Sequence, residues 1–333
     1  MIPNQWYAIL ESSEVKRGKI IGVTRMGEKM VAWRDSHGTV GVMRDQCPHR
    51  GVAFSTGQII GDCVECAFHG FQFDTSGVCT LIPANGRNAP VPKVMRAEAF
   101  ETREEHGFIF IWWGEPKENL PPVPWFDNID ESKYSISSIR DLWHSHYSRA
   151  IENQLDVVHL PFVHKTTIGR GNATLVNGPL YRINQIPGGL RMDLWYDNQI
   201  DQGQAPLRPT EMPEPTRPSL IQFIFPNLWQ NRLSDKLRLM IAFAPIDATN
   251  SLLYIRNYQA IVRAPIGRQI FDAISLVGNF IIERQDRRVV ITQEPKRSEL
   301  RMGEKLIPGD APIIEYRRLR DELIKSAATN GAE

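Results

Sequence analysis

The sequence lacks an excess of either charge and also lacks long apolar runs. Lysine and arginine number 39 against 38 aspartates and glutamates, and the formal net charge of +1 indicates neither a nucleic-acid-binding face nor a membrane-surface role. The longest apolar runs, such as 108–113 and 241–245, fall far short of the roughly 20 residues that cross a bilayer. The first residues lack the basic and apolar regions of an export signal. We therefore expect a cytoplasmic protein that binds neither nucleic acid nor membrane.

Cysteine is also scarce. Only four cysteines occur, and all of them lie within residues 47–79. Cysteines clustered this closely indicate a single site, because a disulfide framework would spread them along the chain. With 333 residues, of which 42% are apolar, the chain is long enough for two domains with a core each.

Two regions of different character predict a two-domain chain of the α+β class. Residues 1–118 show short alternations of apolar and polar residues between turn signals, which is typical of an all-β domain. Prolines at positions 116, 121, 122 and 124 interrupt both helices and strands and place the boundary there. Residues 119–333 predict a mixed domain of strands and helices.

The second domain combines strand and helix patterns. A long helix is predicted over 266–292, because Ile270, Ile274, Val277 and Ile281 recur at three- and four-residue spacing. The remaining elements are helices over 147–159 and 313–328 and strands over 190–196, 220–225, 237–244 and 251–260.

Two short boxes in the first domain each offer one thiolate and one imidazole. They are Cys47-Pro48-His49-Arg50-Gly51 and Cys66-Ala67-Phe68-His69-Gly70. Two cysteines on one iron and two histidines on the other make the ligand set of a Rieske 2Fe-2S centre. The glycine that ends each box lets the backbone turn tightly. A zinc site that joins Cys63 and Cys66 to two further ligands is the alternative.

A second constellation, in the second domain, predicts a separate metal site. Asp156 precedes His159 by three residues, so on a helix its carboxylate can accept the free N–H of the imidazole. Pro161 disfavours helical geometry at Leu160, so we expect the helix to end near His159 and the chain to fold His164 back. A surface pair of Asp156 and His159 beside a loop histidine is the alternative interpretation.

The two boxes resemble those of the Rieske non-heme iron oxygenases, the catalytic subunits of ring-hydroxylating and demethylating systems. The second box departs from the usual CPYHG at Ala67 and Phe68. Residues 153–164 resemble the NxxDxxHxxxxH motif of the same family. The resemblance implies that His159 and His164 bind a mononuclear iron, which a carboxylate from a late helix completes. Asp286 matches the family's Asp, and Glu283 is the competing candidate.

The resemblance also implies an architecture and partners. The fold would be a Rieske domain followed by a helix-grip catalytic domain, and three identical chains would form a ring. Asp156 would then link His159 to His69 of the neighbouring chain, and Asn153 would lie near the open face of the iron. Electrons would come from an NAD(P)H-dependent reductase, with or without an intervening ferredoxin.

The implied function is a terminal oxygenase that uses O2 and two electrons to hydroxylate or oxidatively demethylate a small aromatic or polycyclic substrate. A cis-dihydroxylating ring dioxygenase is the alternative within the family. An electron-transfer Rieske protein and a non-enzymatic helix-grip ligand-binding protein are alternatives of other classes. Strands between 220 and 258 offer candidate substrate contacts, namely Phe223, Asn227, Trp229, Asn231, Phe243 and Tyr258.

Overall fold

In the computed structural model, which describes residues 1–330, the chain divides into two compact units. The first unit comprises Asn4–Val123 and Pro245–Asp247. The second comprises Met1–Pro3, Pro124–Ala244 and the residues from Ala248 onward. The chain passes from the first unit to the second inside the proline-rich segment, where neither helix nor strand continues.

The first unit is built from short strands in three sheets. The sheet orders are β1-β11-β10, β2-β3-β4-β9 and β5-β6-β7-β8. The strands are β1 (Gln5–Glu11), β2 (Ile20–Arg25), β3 (Glu28–Arg34), β4 (Val40–Arg44), β5 (Gln58–Ile60), β6 (Cys63–Glu65), β7 (Gln72–Phe73), β8 (Cys79–Leu81), β9 (Ala99–Phe100), β10 (Thr102–Glu105) and β11 (Phe108–Trp113). This arrangement confirms the predicted all-β domain.

The second unit centres on a seven-stranded sheet in the order β12-β18-β17-β16-β15-β14-β13. Its strands are β12 (Ser135–Trp143), β13 (Leu175–Ile186), β14 (Gly189–Gln199), β15 (Ile221–Ile224), β16 (Leu228–Ser234), β17 (Leu237–Pro245) and β18 (Ser251–Gln259). Its helices are α1 (Tyr147–Leu155), α2 (Leu160–Val163), α3 (Pro265–Val290) and α4 (Ala311–Asn330). The predicted mixed class is confirmed, and none of the described helices is long and apolar enough to span a membrane.

A buried ion-pair network fixes α1 against α4. Arg317 on α4 donates to both carboxylate oxygens of Glu152 on α1, at 2.8 and 2.9 Å. Arg149 donates to Glu152 as well, at 3.1 Å, and Glu304 accepts from both arginines. Arg149, Glu152 and Arg317 are at most 4% exposed. Charges this deeply buried are stable only while each keeps its partner, so the network holds α1 in one position.

The prediction that the helix from residue 147 continues to near His159 was wrong. Helix α1 ends at Leu155, and Asp156 has an extended backbone with φ −79° and ψ 129°. Its Oδ1 accepts hydrogen bonds from the backbone N–H groups of Val158 at 2.6 Å and His159 at 3.3 Å. An aspartate that bonds nearby amides offers the backbone an alternative to the helix. Asp156 therefore starts the turn that leads into α2, several residues before Pro161.

The apolar stripe that predicted α3 lies on the exposed side of that helix. Ile270, Ile274, Val277 and Ile281 are 57%, 68%, 61% and 48% exposed, whereas Asp286 is 2% exposed. The 3.6-residue period predicts a helix whichever of its faces is covered. An exposed apolar surface of this kind is typical of a surface that contacts another molecule.

Candidate metal centres

The two cysteines of the predicted cluster lie in the core of the first unit. Cys47 and Cys66 are each 2% exposed and begin matching turns. The Gly51 N–H donates to the Cys47 carbonyl at 2.8 Å, and the Gly70 N–H donates to the Cys66 carbonyl at 3.0 Å. Burial, together with the adjoining Cys66 thiol, raises the pKa of Cys47 to about 11. Two adjacent thiols in an apolar core suit iron, which binds them as thiolates.

The two histidines of the same boxes lie at the surface. The ring centroids of His49 and His69 are 4.7 Å apart, and His49 stacks on Phe71. The glycines that close the two turns have φ values of +75° and +72°, a region that residues with a Cβ rarely adopt. A paired thiol set inside and a paired imidazole set outside, on matching loops, fit a Rieske cluster.

Cys63 and Cys79, the other two cysteines, do not extend this set. The Cys63 Sγ lies 3.3 Å from the Thr80 Oγ1, and Cys79 is buried in the core. Within residues 1–330, the only group of three or more His, Cys, Asp or Glu side chains placed to share one ion lies in the second unit. The zinc alternative built on Cys63 and Cys66 therefore has no geometric support.

That group consists of His159, His164 and Asp286, whose ligand atoms all lie within 4.8 Å of one another. The Asp286 Oδ1 is 2.9 Å from the His164 Nε2 and 3.4 Å from the His159 Nε2. His159 lies in the turn before α2, His164 follows α2, and Asp286 belongs to α3. Residues far apart in the chain therefore converge on one point, in the manner of a 2-His-1-carboxylate iron site.

A side-chain oxygen atom lies beside the Nδ1 of each imidazole of this group, and the one beside His164 is within hydrogen-bonding distance. The His164 Nδ1 is 2.8 Å from the Gln285 Oε1. The His159 Nδ1 is 3.6 Å from the Asp156 Oδ2, slightly beyond hydrogen-bonding distance. Both Nε2 atoms consequently face Asp286 and are free for a metal. This use of the second ring nitrogen is the usual way in which proteins fix metal-binding histidines.

The electrostatics of the group follow from its carboxylates. Burial alone would lower the pKa of His159, but Asp156 and Asp286 outweigh it and raise that pKa to about 9. Burial alone would raise the pKa of Asp286, but His159 and His164 lower it to about 2. Burial and the nearby Asp286 raise the pKa of Glu283 well above its usual value. The site therefore holds closely spaced carboxyl and imidazole groups that strongly influence one another's charge.

A cavity opens beside His159, His164 and Asp286. Trp229 and Asn231, two of the six candidate substrate contacts, line it. The indole N–H of Trp229 also donates to the Gln154 carbonyl at 3.0 Å, which fixes its ring. The remaining lining residues are Asn153, Gln154, Asp156, Leu160, Ile168, Tyr196, Ile221, Leu239, Ile282 and Glu283.

The other four candidate substrate contacts lie elsewhere in the second unit. Phe223 and Phe243 are fully buried in its apolar core. The Asn227 amide donates to the Phe243 carbonyl at 3.1 Å, and the Tyr258 hydroxyl donates to Glu131 at 3.2 Å. Sequence reasoning missed Tyr196, Leu239 and Ile282, because no local pattern marks which side of a strand or helix faces the cavity.

Comparison with known proteins gives matches in both units. Residues 5–96 match the family described as the Rieske [2Fe-2S] domain. Residues 143–326, more than half of the chain, match the family described as the vanillate O-demethylase oxygenase C-terminal domain.

Two curated relatives share part of this chain. The toluene-4-sulfonate monooxygenase system iron-sulfur subunit TsaM1 of Comamonas testosteroni is 28% identical over 199 residues, which are 59% of this chain and 56% of that protein. Cholesterol 7-desaturase nvd of Drosophila melanogaster is 33% identical over 175 residues, which are 51% of this chain and 40% of that protein. The chain thus spans about half the length of these relatives.

Solved structures resemble the whole chain. NdmA of Pseudomonas putida superposes with a TM-score of 0.75 at 20% identity and covers 97% of this chain and 94% of its own. Dicamba monooxygenase bound to dicamba superposes with a TM-score of 0.74 at 18% identity and covers 99% of both chains. At these identities the likeness shows a shared fold.

Proposed function

The chain belongs to the vanillate O-demethylase oxygenase C-terminal domain family of Rieske oxygenases, and from this premise we propose that it is a terminal oxygenase. It uses O2 and two electrons to hydroxylate or oxidatively demethylate a small organic substrate, aromatic or polycyclic in character. The predicted cofactor classes, a Rieske 2Fe-2S cluster and a mononuclear non-heme iron, are those of this family.

The proposed ligands follow the two constellations. Cys47 and Cys66 hold one iron of the cluster, and His49 and His69 hold the other. A second set, His159, His164 and Asp286, holds the mononuclear iron. When bound, the cluster supplies single electrons and the mononuclear iron supplies the activation of dioxygen. The convergence of that second set within 4.8 Å is the observation that carries the proposal.

The side chains around the second set have separate tasks. Gln285 holds the imidazole of His164 in place through Nδ1, and the carboxylate of Asp156 lies 3.6 Å from the Nδ1 of His159. Asn153, which lines the cavity, is positioned to bind a ligand near the open face of the metal. Trp229 and the apolar lining exclude water from the space where the substrate lies. The aromatic ring of Trp229 also suits a flat substrate.

The proposed assembly is a homotrimer supplied with electrons by an NAD(P)H-dependent reductase, directly or through a ferredoxin. The exposed pair of His49 and His69 supports electron transfer to another molecule, because an imidazole edge at the surface shortens the path. The exposed apolar stripe on α3, from Ile270 to Ile281, supports the homotrimer, because an apolar surface of this kind is typical of a contact between protein chains. Sedimentation equilibrium that gives the mass of three chains would agree with the trimer, and a monomeric mass would contradict it.

The role of Asp156 as the electron bridge has its own test. The Asp156→Asn variant keeps the size of the side chain and removes its charge. We expect it to retain both metal centres and to reoxidise its reduced cluster about ten-fold or more slowly in a single turnover with substrate and O2. Electron transfer at the wild-type rate would refute the bridge.

The function itself is tested by reconstitution with a surrogate reductase and NADH. A panel of methoxyarenes, methylarenes and polycyclic hydrocarbons is scored for coupled oxygen uptake and for products. A hydroxylated or demethylated product supports the proposal, and a cis-diol indicates the dioxygenase alternative. Cluster reduction without oxygen uptake on any substrate, in protein that holds two irons per chain and no third, would indicate an electron-transfer protein.

A further inference from the structure

Glu283 is a buried carboxyl group beside the candidate iron site that the proposed mechanism does not use. It lies on α3 one turn before Asp286, is 1% exposed and lines the same cavity as His159 and His164. It does not belong to the group of side chains placed to share an ion. Its position therefore points to contact with whatever fills the cavity.

One oxygen of Glu283 is without a partner in the part of the chain that the structure describes. The Oε2 atom is buried and accepts no hydrogen bond. Arg287, the cation one turn further along α3, donates instead to Asp141 at 3.0 Å. Buried polar atoms in folded proteins are nearly always hydrogen-bonded, so an unpaired one that faces a cavity calls for a partner inside that cavity. A substrate hydroxyl or N–H group can donate to this oxygen whether or not the carboxyl carries a proton.

The rest of the lining limits the charge of the ligand. Asn153, Gln154 and Asn231 supply neutral amides, and none of the side chains that line the cavity belongs to a lysine or an arginine. Asp156 and Glu283 add acidic groups. Away from the metal site, a carboxylate or sulfonate that entered this cavity would give up its hydration beside Asp156 and Glu283, with no lysine or arginine to pair with it. An uncharged ligand does not meet this penalty.

We propose that Glu283 binds the hydroxyl or N–H group of an uncharged, otherwise apolar substrate and orients that substrate beside His159, His164 and Asp286. The inference rests on the proposed function and specifies the substrate class. Trp229 and Leu239 contact the apolar body of the molecule, while Glu283 fixes its orientation through one hydrogen bond.

Equilibrium binding to the anaerobic holoenzyme without reductase tests the inference, because no turnover occurs. The probes are two matched pairs, 2-naphthol with naphthalene and indole with indene, together with 2-naphthoate. We expect the wild type to bind each polar member about ten-fold or more tightly than its hydrocarbon, and to bind 2-naphthoate most weakly. Glu283→Leu should remove this preference and leave hydrocarbon binding unchanged or tighter. Glu283→Gln, which keeps a hydrogen-bonding group, should retain it.

Iron content and the visible spectrum are measured for every variant. Should Glu283→Leu lose iron, Glu283→Met, which keeps the chain length, takes its place. Glu294→Leu, at an exposed position whose side chain is 70% accessible, is the matched control and should bind like the wild type. An undiminished preference in Glu283→Leu, or no preference in the wild type for either pair, would overturn the inference. A protein that shows the preference but never oxygenates would refute the proposed function alone.

Discussion

The two histidine pairs of this protein have similar spacing in opposite surroundings. The ring centroids of His49 and His69 are 4.7 Å apart, and those of His159 and His164 are 5.2 Å apart. The first pair is exposed, whereas His164 is 1% exposed. Exposure suits a centre that exchanges electrons with another molecule, and burial suits a centre that binds substrate away from water.

The two sites also differ in how the chain builds them. Each half of the first site is a single turn, closed by its own hydrogen bond and its own glycine. The second site depends on contacts between residues far apart in sequence, such as His164 with Gln285 and Glu152 with Arg317. Only substitutions within its own turns should therefore affect metal binding at the first site. Metal binding at the second site should also depend on how the helices pack.

The largest expected effect is the loss of the cluster in Cys66→Ser. A serine hydroxyl is a far weaker iron ligand than a thiolate, so two of the three irons and the visible absorption should disappear, with turnover falling to background. Iron analysis should still find the mononuclear iron. Cys63→Ser is the control and should keep its visible spectrum. Full absorption in Cys66→Ser would mean that the cluster ligands are assigned incorrectly.

His164→Ala should have the complementary effect. It removes one of three convergent ligands, so the third iron should be lost and turnover should cease, while the visible spectrum stays that of the wild type. Metal analysis and absorption spectroscopy measure both outcomes on the same sample. His144→Ala, at an exposed position, serves as the control. Retention of three irons per chain in His164→Ala would exclude the proposed site.

The same contrast explains what the sequence could predict. Both ligands of each Rieske half fall within five residues, so spacing alone predicted Cys47, His49, Cys66 and His69 as one set. The spacing of His159 and His164 left a surface pair as the alternative, and the family resemblance implied that both bind iron. Asp286 lies on a distant helix, and only the family resemblance distinguished it from Glu283. The structure places Asp286 beside both histidines.

Other features depend on three-dimensional packing that no local pattern shows. The bonds of Asp156 to the next amides end α1 several residues before Pro161, the residue predicted to end it. Glu152 and Arg317 form an ion pair although they are 165 residues apart in the sequence. Four of the six candidate substrate contacts lie outside the cavity. Phe223 and Phe243 share a face of the sheet with Trp229, but strand periodicity does not show how far along that face the cavity extends.

Glu152→Ala should destabilise the second site without touching a ligand. It removes the shared partner of Arg149 and Arg317. Breaking such a buried network lowers the free energy of unfolding by about 3–5 kcal/mol. We expect a value toward the lower end, because Glu304 still accepts hydrogen bonds from both arginines. Hydrogen exchange of the α1 amides should accelerate, and iron should be lost more readily, while the Rieske spectrum persists.

A partly exposed ion pair of the first unit supplies the control for Glu152→Ala. Arg34 pairs with Glu104, whose side chain is 33% exposed, so Glu104→Ala should cost at most about 1 kcal/mol. Equal losses of unfolding free energy in Glu152→Ala and Glu104→Ala would show that the burial of the ion pair does not determine its contribution to stability.

Gln285→Leu should have the smallest effect and the most specific one. The substitution keeps the size of the side chain but removes the oxygen that lies 2.8 Å from the His164 Nδ1. The loss of such an orienting partner lowers metal affinity about 10–100-fold, so competition with a chelator should strip the third iron sooner and leave the cluster intact. Gln293→Leu, at an exposed position beyond α3, should match the wild type. Unchanged iron affinity in Gln285→Leu would mean that the His164 imidazole needs no contact with Gln285 to bind the metal. The contrast between a site fixed by local turns and a site fixed by distant contacts would then disappear.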